Sequence, residues 1–145
     1  MSKYSNQSIR KGKTDKLNSI KIANYALIIL GEILGSRIIA EIGDVKRFHS
    51  ASALVAYTGL DAPPFQSGSY MAGKRSISKR GSSSLRKTGY EIMMYLKIAK
   101  PSQDNAVYLF MLKKESEGKP LRVAKIAALN KFLHIYYARV KEIYN

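Results

Sequence analysis

The chain has 145 residues, of which 46% are hydrophobic, enough for one domain with a core and too few for two full domains. Its 25 Lys and Arg against 10 Asp and Glu leave a formal net charge of +15. Such an excess favours a polyanionic partner, nucleic acid before an anionic membrane surface. The absence of Cys excludes disulfides and thiolate metal sites, and no window approaches the roughly 20 uninterrupted apolar residues of a membrane span.

Met1 to Thr14 is polar and basic, with Lys3, Arg10, Lys11 and Lys13, and is expected to be a mobile tail. No secretory leader is legible there, because the first apolar run comes late and carries Lys21 and Asn24, so a soluble intracellular protein is the expectation. Leu17 to Ala40 has a helical period, with Ala23, Leu27, Leu30 and Leu34 recurring. Gly31 and Gly35 interrupt it and predict a helical hairpin, whose second arm ends at Gly43-Asp44. Ser50 is placed to cap a short helix, Ala51 to Tyr57, with Gly59 as its stop.

Leu60 to Gly81 has no period and contains Pro63-Pro64, Gly68 and Gly73. This predicts one long basic loop with room for short strands, and loops of this length are often functional. Ser82 or Ser83 caps the next predicted helix, whose face is Leu85, Gly89, Ile92, Leu96 and Ala99. Pro101 ends that helix and Ser102 is placed to start another, which runs up to Gly118. Pro120 suits the first turn of a last helix, where Ile126, Leu129, Leu133, Tyr136 and Val140 repeat at helical spacing. The fold class is therefore mainly α: a compact helical domain with a helical hairpin and one long basic loop.

The chemistry-bearing residues concentrate in that loop. Ser67 lies in Gln66-Ser67-Gly68, and Lys74, Arg75, Lys79, Arg80, Arg86 and Lys87 follow, with no acid from Ala62 to Tyr90. A serine hydroxyl beside cations suits attack on a phosphodiester, where positive charge offsets the charge building on the phosphate oxygens. Ser-Gly is also an ordinary turn dipeptide, and Ser69, Ser76, Ser78 and Ser82 to Ser84 are rivals by composition. The cations fit phosphate binding better than a solvated surface, since nothing local neutralises them. Ser36 and Arg37 follow the glycine turn, which either presents backbone N–H groups to a phosphate or packs as a hairpin. Asp15 reads equally as a helix N-cap or as one oxygen ligand, with Asn18 a turn away. His49 and His134 have no ligand partner in the pattern and read as structural, and of Tyr90, Tyr95, Tyr108, Tyr136 and Tyr137 most read as core.

From Ile33 onward the chain resembles the C-terminal domain of the DEDD-type insertion-sequence transposases, the family named for insertion sequences one-ten, one-sixteen and nine-oh-two. The resemblance is carried by Ile38-Ile39-Ala40-Glu41-Ile42-Gly43-Asp44, Arg47-Phe48, Leu54-Val55-Ala56-Tyr57-Thr58-Gly59-Leu60, Gln66-Ser67-Gly68, Ile77-Ser78-Lys79-Arg80-Gly81 with Leu85-Arg86, and Gly118-Lys119-Pro120. It implies DNA cleavage and strand exchange with Ser67 as nucleophile, magnesium as the metal of the complete enzyme, and DNA as partner. A structured guide RNA, a homo-oligomer and a bacterial or archaeal cytoplasm are further implications. Lys13 to Ala23 resembles the end of the family's resolvase-like domain, with Asp15 on a metal-binding acid and Asn18 where a second acid stands. The expected organisation is a remnant of that domain over residues 1–28 and the transposase domain over 29–145, an internally truncated copy. Three functions fit this sequence: such a recombinase, a non-catalytic nucleic-acid-binding module, or a helical assembly protein using the Ile126 to Val140 face.

Overall fold

Apolar side chains returning every third or fourth residue give the described residues of this protein five α-helices, and local capping chemistry sets where most of them begin. The computed structural model describes residues 30–62, 76–101 and 105–145. Helix α1 is Glu32–Ile42, α2 Ala51–Thr58, α3 Ser83–Ala99, α4 Ala106–Ser116 and α5 Leu121–Tyr144, with a 3₁₀ turn at Val45–Arg47 between α1 and α2. There is no strand among the described residues. The mainly α expectation is met.

Ser50 Oγ accepts from Ala53 N–H, and Ser82 Oγ from Leu85 N–H at 3.1 Å, so both predicted serine caps are in place. Each such cap is worth about 1 kcal/mol. Gly59 closes α2 in the left-handed region, and Gly43 ends α1. Gly35 does not break a helix, contrary to the sequence reading. It lies buried within α1, its N–H bonded to the Gly31 carbonyl at 2.9 Å, and Gly31 alone (φ 74°) makes the break. The first arm of the predicted hairpin lies outside the described residues. Helix α4 begins at Ala106, where Asn105 Oδ1 accepts from both Val107 and Tyr108 N–H; Ser102, the start expected from sequence, lies outside the described residues.

The 24-residue α5 is the spine, roughly 36 Å long. Its buried stripe runs through Ala124, Ala128, Leu129, Phe132, Leu133, Tyr136, Tyr137 and Val140. Helices α4, α2 and α3 pack on it, and α1 packs on α3. The α3–α5 crossing is close because Gly89 has no side chain. A Cβ there would fall 2.6 Å from Leu129 Cδ1. Leu85, Ile92, Met93 and Leu96 of α3 are buried in the same core, whereas Ala99, predicted on that face, is exposed at the helix end. Tyr137 Oη donates to the Phe48 carbonyl at 3.0 Å, tying the 3₁₀ turn to the spine. Tyr136 and Tyr137 are core as expected, while Tyr95 is exposed. His49 and His134 are both exposed, so neither is a core histidine.

Candidate nucleic-acid interface

At the end of α2 the chain turns on Gly59 and departs through Leu60 and Asp61. It returns beside its own point of departure. Ser78 N–H donates to the Asp61 carbonyl at 2.8 Å, Lys79 N–H to Gly59 at 3.0 Å, and Ser82 N–H to Tyr57 at 2.6 Å. All these donors lie on the returning limb and all the acceptors on the departing one. Ser78 Oγ adds a hydrogen bond to the Asp61 carboxylate, and Arg86 Nη1 donates to the Thr58 carbonyl at 3.1 Å. Gly81 lies so tightly on α2 that a Cβ would sit 1.9 Å from the Tyr57 carbonyl oxygen. These contacts form a neck. The long basic loop predicted from sequence leaves and rejoins the helices at this one point.

Ser67, Lys74 and Arg75 belong to the stretch between the two limbs and lie outside the described residues, as does Asp15. The other cations named from sequence divide into two groups. Lys79, Arg86 and Lys87 share one groove of about 750 Å³ between the first half of α3 and the first turn of α5. Arg80 is exposed on the returning limb and does not line it.

Arg122, at the start of α5, joins the groove from the opposite wall. Ile77, Tyr90, Val123 and Ile126 supply apolar lining. Lys125 stands over the Tyr90 ring at 5.7 Å from its centre. Two helix N-terminal turns also border the groove, through Ser83 of α3 and Arg122 and Val123 of α5. The positive ends of both helix dipoles therefore reinforce the cationic side chains.

Glu91 is the acid among the lining residues, and Arg37 Nη1 of α1 holds its carboxylate at 2.6 Å. Arg37 Nη2 also donates to Thr88 Oγ1 at 3.3 Å. Arg37 thus reaches the groove only by neutralising its acid. Ser36 stands apart from it, with Oγ donated to the Glu32 carbonyl one turn back at 2.7 Å.

Sequence reasoning missed Arg122 and Val123 and assigned Tyr90 and Ile126 to the core. The Pro120 signal placed Arg122 in a first helical turn, but nothing in the sequence set that turn against α3.

No group of three His, Cys, Asp or Glu able to hold a metal occurs among the described residues. Several of their acids are paired: Glu41 accepts from Ser84 Oγ, Asp44 caps the 3₁₀ turn, Asp61 takes Ser78, and Glu115 takes Lys97.

Many of the residues singled out by their resemblance pattern are core: Ile38, Ile42, Phe48, Leu54, Val55, Leu60 and Leu85 are buried. Others build the neck, namely Gly59, Gly81 and Arg86. The family model described as Transposase IS116/IS110/IS902 family matches residues 30–108, more than half of the chain. No curated protein matches it.

Proposed function

We propose, since this chain belongs to the Transposase IS116/IS110/IS902 family, that it binds DNA through the groove beside the neck and presents Ser67 to a phosphodiester. The observation that carries the reading is the convergence of Lys79, Arg86, Lys87 and Arg122 on one groove whose acid is already paired. Cations gathered this way grip phosphates, and helix N-termini add to the attraction. Residues 29–145 act as the transposase domain. A guide RNA and assembly into a multimer enter from the family resemblance alone, and magnesium only through Asp15.

In the proposed step the Ser67 hydroxyl attacks phosphorus. A bond from Oγ to phosphorus forms as the bond to the leaving strand's oxygen breaks, and the hydroxyl proton ends on that oxygen. Cationic side chains offset the charge that grows on the phosphate oxygens in the transition state. Lys74, Arg75, Lys79 and Arg80, within 13 residues of Ser67 in sequence, serve this part.

The test is cleavage or covalent trapping on DNA carrying the element ends. The Ser67→Ala protein is expected to bind that DNA as tightly as the parent and to form no covalent adduct. Equal cleavage by parent and Ser67→Ala would end the nucleophile assignment. Tight binding without cleavage by the parent itself would instead leave the non-catalytic nucleic-acid-binding module.

A further inference from the structure

We infer that the groove takes a single strand of DNA rather than a duplex, with bases on its apolar floor and phosphates on its cationic rim. The inference rests on the proposed reading of this groove as a DNA site and names which form of DNA enters.

The rim alone would suit either form. The floor does not. Ile77, Tyr90, Val123 and Ile126 line the same groove as the four cations, and Val123 is 49% exposed. A duplex offers phosphates and base edges, because its base faces are stacked on one another. It would leave that apolar floor against water. A single strand has free π-faces, which gain by covering apolar and aromatic side chains while the backbone follows cations. Size points the same way. A volume of about 750 Å³ falls in the range of small-molecule clefts, which suits a nucleotide or two. A duplex could only lie across the mouth.

Lys125 is buried, with its ammonium 5.7 Å from the centre of the Tyr90 ring, so positive charge also lies beside the groove's aromatic residue. Tyr90 and Val123 are thus the base-contacting residues, and Lys79, Lys87 and Arg122 the phosphate-contacting ones.

The experiment measures binding of the full chain to three labelled octamers at low salt: a single strand, the same sequence as duplex, and an abasic strand with the same phosphates. The intact single strand is expected to bind about tenfold or more tighter than the other two, the usual gain from stacking one base. Val123→Ser, at a half-exposed position, should narrow the gap between the intact strand and the abasic one and leave binding of the abasic one unchanged. Arg122→Gln should weaken all three by a similar factor.

A duplex bound as tightly as the single strand overturns the inference, and so does an abasic strand bound as tightly as the intact one. The second comparison needs no variant. An RNA strand of the same sequence bound tenfold tighter than the DNA overturns the assignment to DNA. If none of the octamers binds, the DNA reading of the groove fails, and this inference with it.

Discussion

Gly81 is the most tightly enclosed glycine among the described residues. Its missing Cβ would overlap backbone, the Tyr57 carbonyl at 1.9 Å and the Ala56 carbonyl at 2.7 Å, so no side chain can swing aside to make room. Gly81→Ala must therefore part the neck or shift α2. We expect a loss of about 3 kcal/mol, at the upper end of overpacking costs, read by urea unfolding of the variant against the parent. A loss below about 0.5 kcal/mol would mean that the two limbs are not clamped.

Arg86 and Arg122 make a useful pair at the same scale. Both line the groove, but Arg86 is half-buried and donates to the Thr58 carbonyl at 3.1 Å, whereas Arg122 is exposed on the first turn of α5. Arg86→Ala leaves a carbonyl at the neck without its charged donor and should cost about 1.5–3 kcal/mol. Arg122→Gln should stay within about 0.5 kcal/mol of the parent. Thermal melts of the two variants check this. Equal melting temperatures would show that Arg86 serves the groove alone.

At the scale of elements, α3 and α4 are joined by Lys97 and Glu115. The Glu115 side chain is only 17% exposed, and its Oε1 is buried with no hydrogen-bond partner among the described residues, so Lys97 is what compensates that carboxylate. Removing Lys97 strands a charge, and removing both partners does not. Lys97→Met is expected to cost about 2 kcal/mol, and the double variant Lys97→Met with Glu115→Gln to recover at least half of it. Additive losses in that double-mutant cycle would rule out the coupling.

Element boundaries show where sequence reasoning succeeds and fails. Ser50, Ser82 and Gly59 were legible because each acts on backbone groups within a few residues of itself. Asn105 was missed although its chemistry is equally local, because Ser102 follows Pro101 and offered the same signal three residues earlier. Gly35 misled because glycine marks a turn or a close approach, and no turn forms there: it lies buried within α1. The groove is a different case. Lys79, Arg86 and Lys87 were legible as a cluster along the chain, but Arg122 comes to them only because Gly89 lets α5 cross α3. No local signal carries that crossing.

On the scale of the whole molecule, the net charge of +15 attracts any polyanion, so binding alone does not locate a site. The spine provides an internal control. Arg122 and Lys141 lie on the same helix, 19 residues apart, which separates them by roughly 28 Å along its axis. At physiological salt that is more than three Debye lengths, since one is about 8 Å. Lys141 also lies at the opposite end of the fold from the groove, near Lys46 and Tyr144.

A short single strand seated in the groove should feel Arg122 and not Lys141. The slope of log affinity against log salt reports the number of phosphates neutralised, about 0.7 per contact for single strands. Arg122→Gln is expected to reduce that slope by roughly 0.7, and Lys141→Gln to leave it unchanged. Equal reductions from both variants would mean that the strand is held by diffuse charge over the whole surface. The convergence of cations on one groove would then not be what selects the binding site.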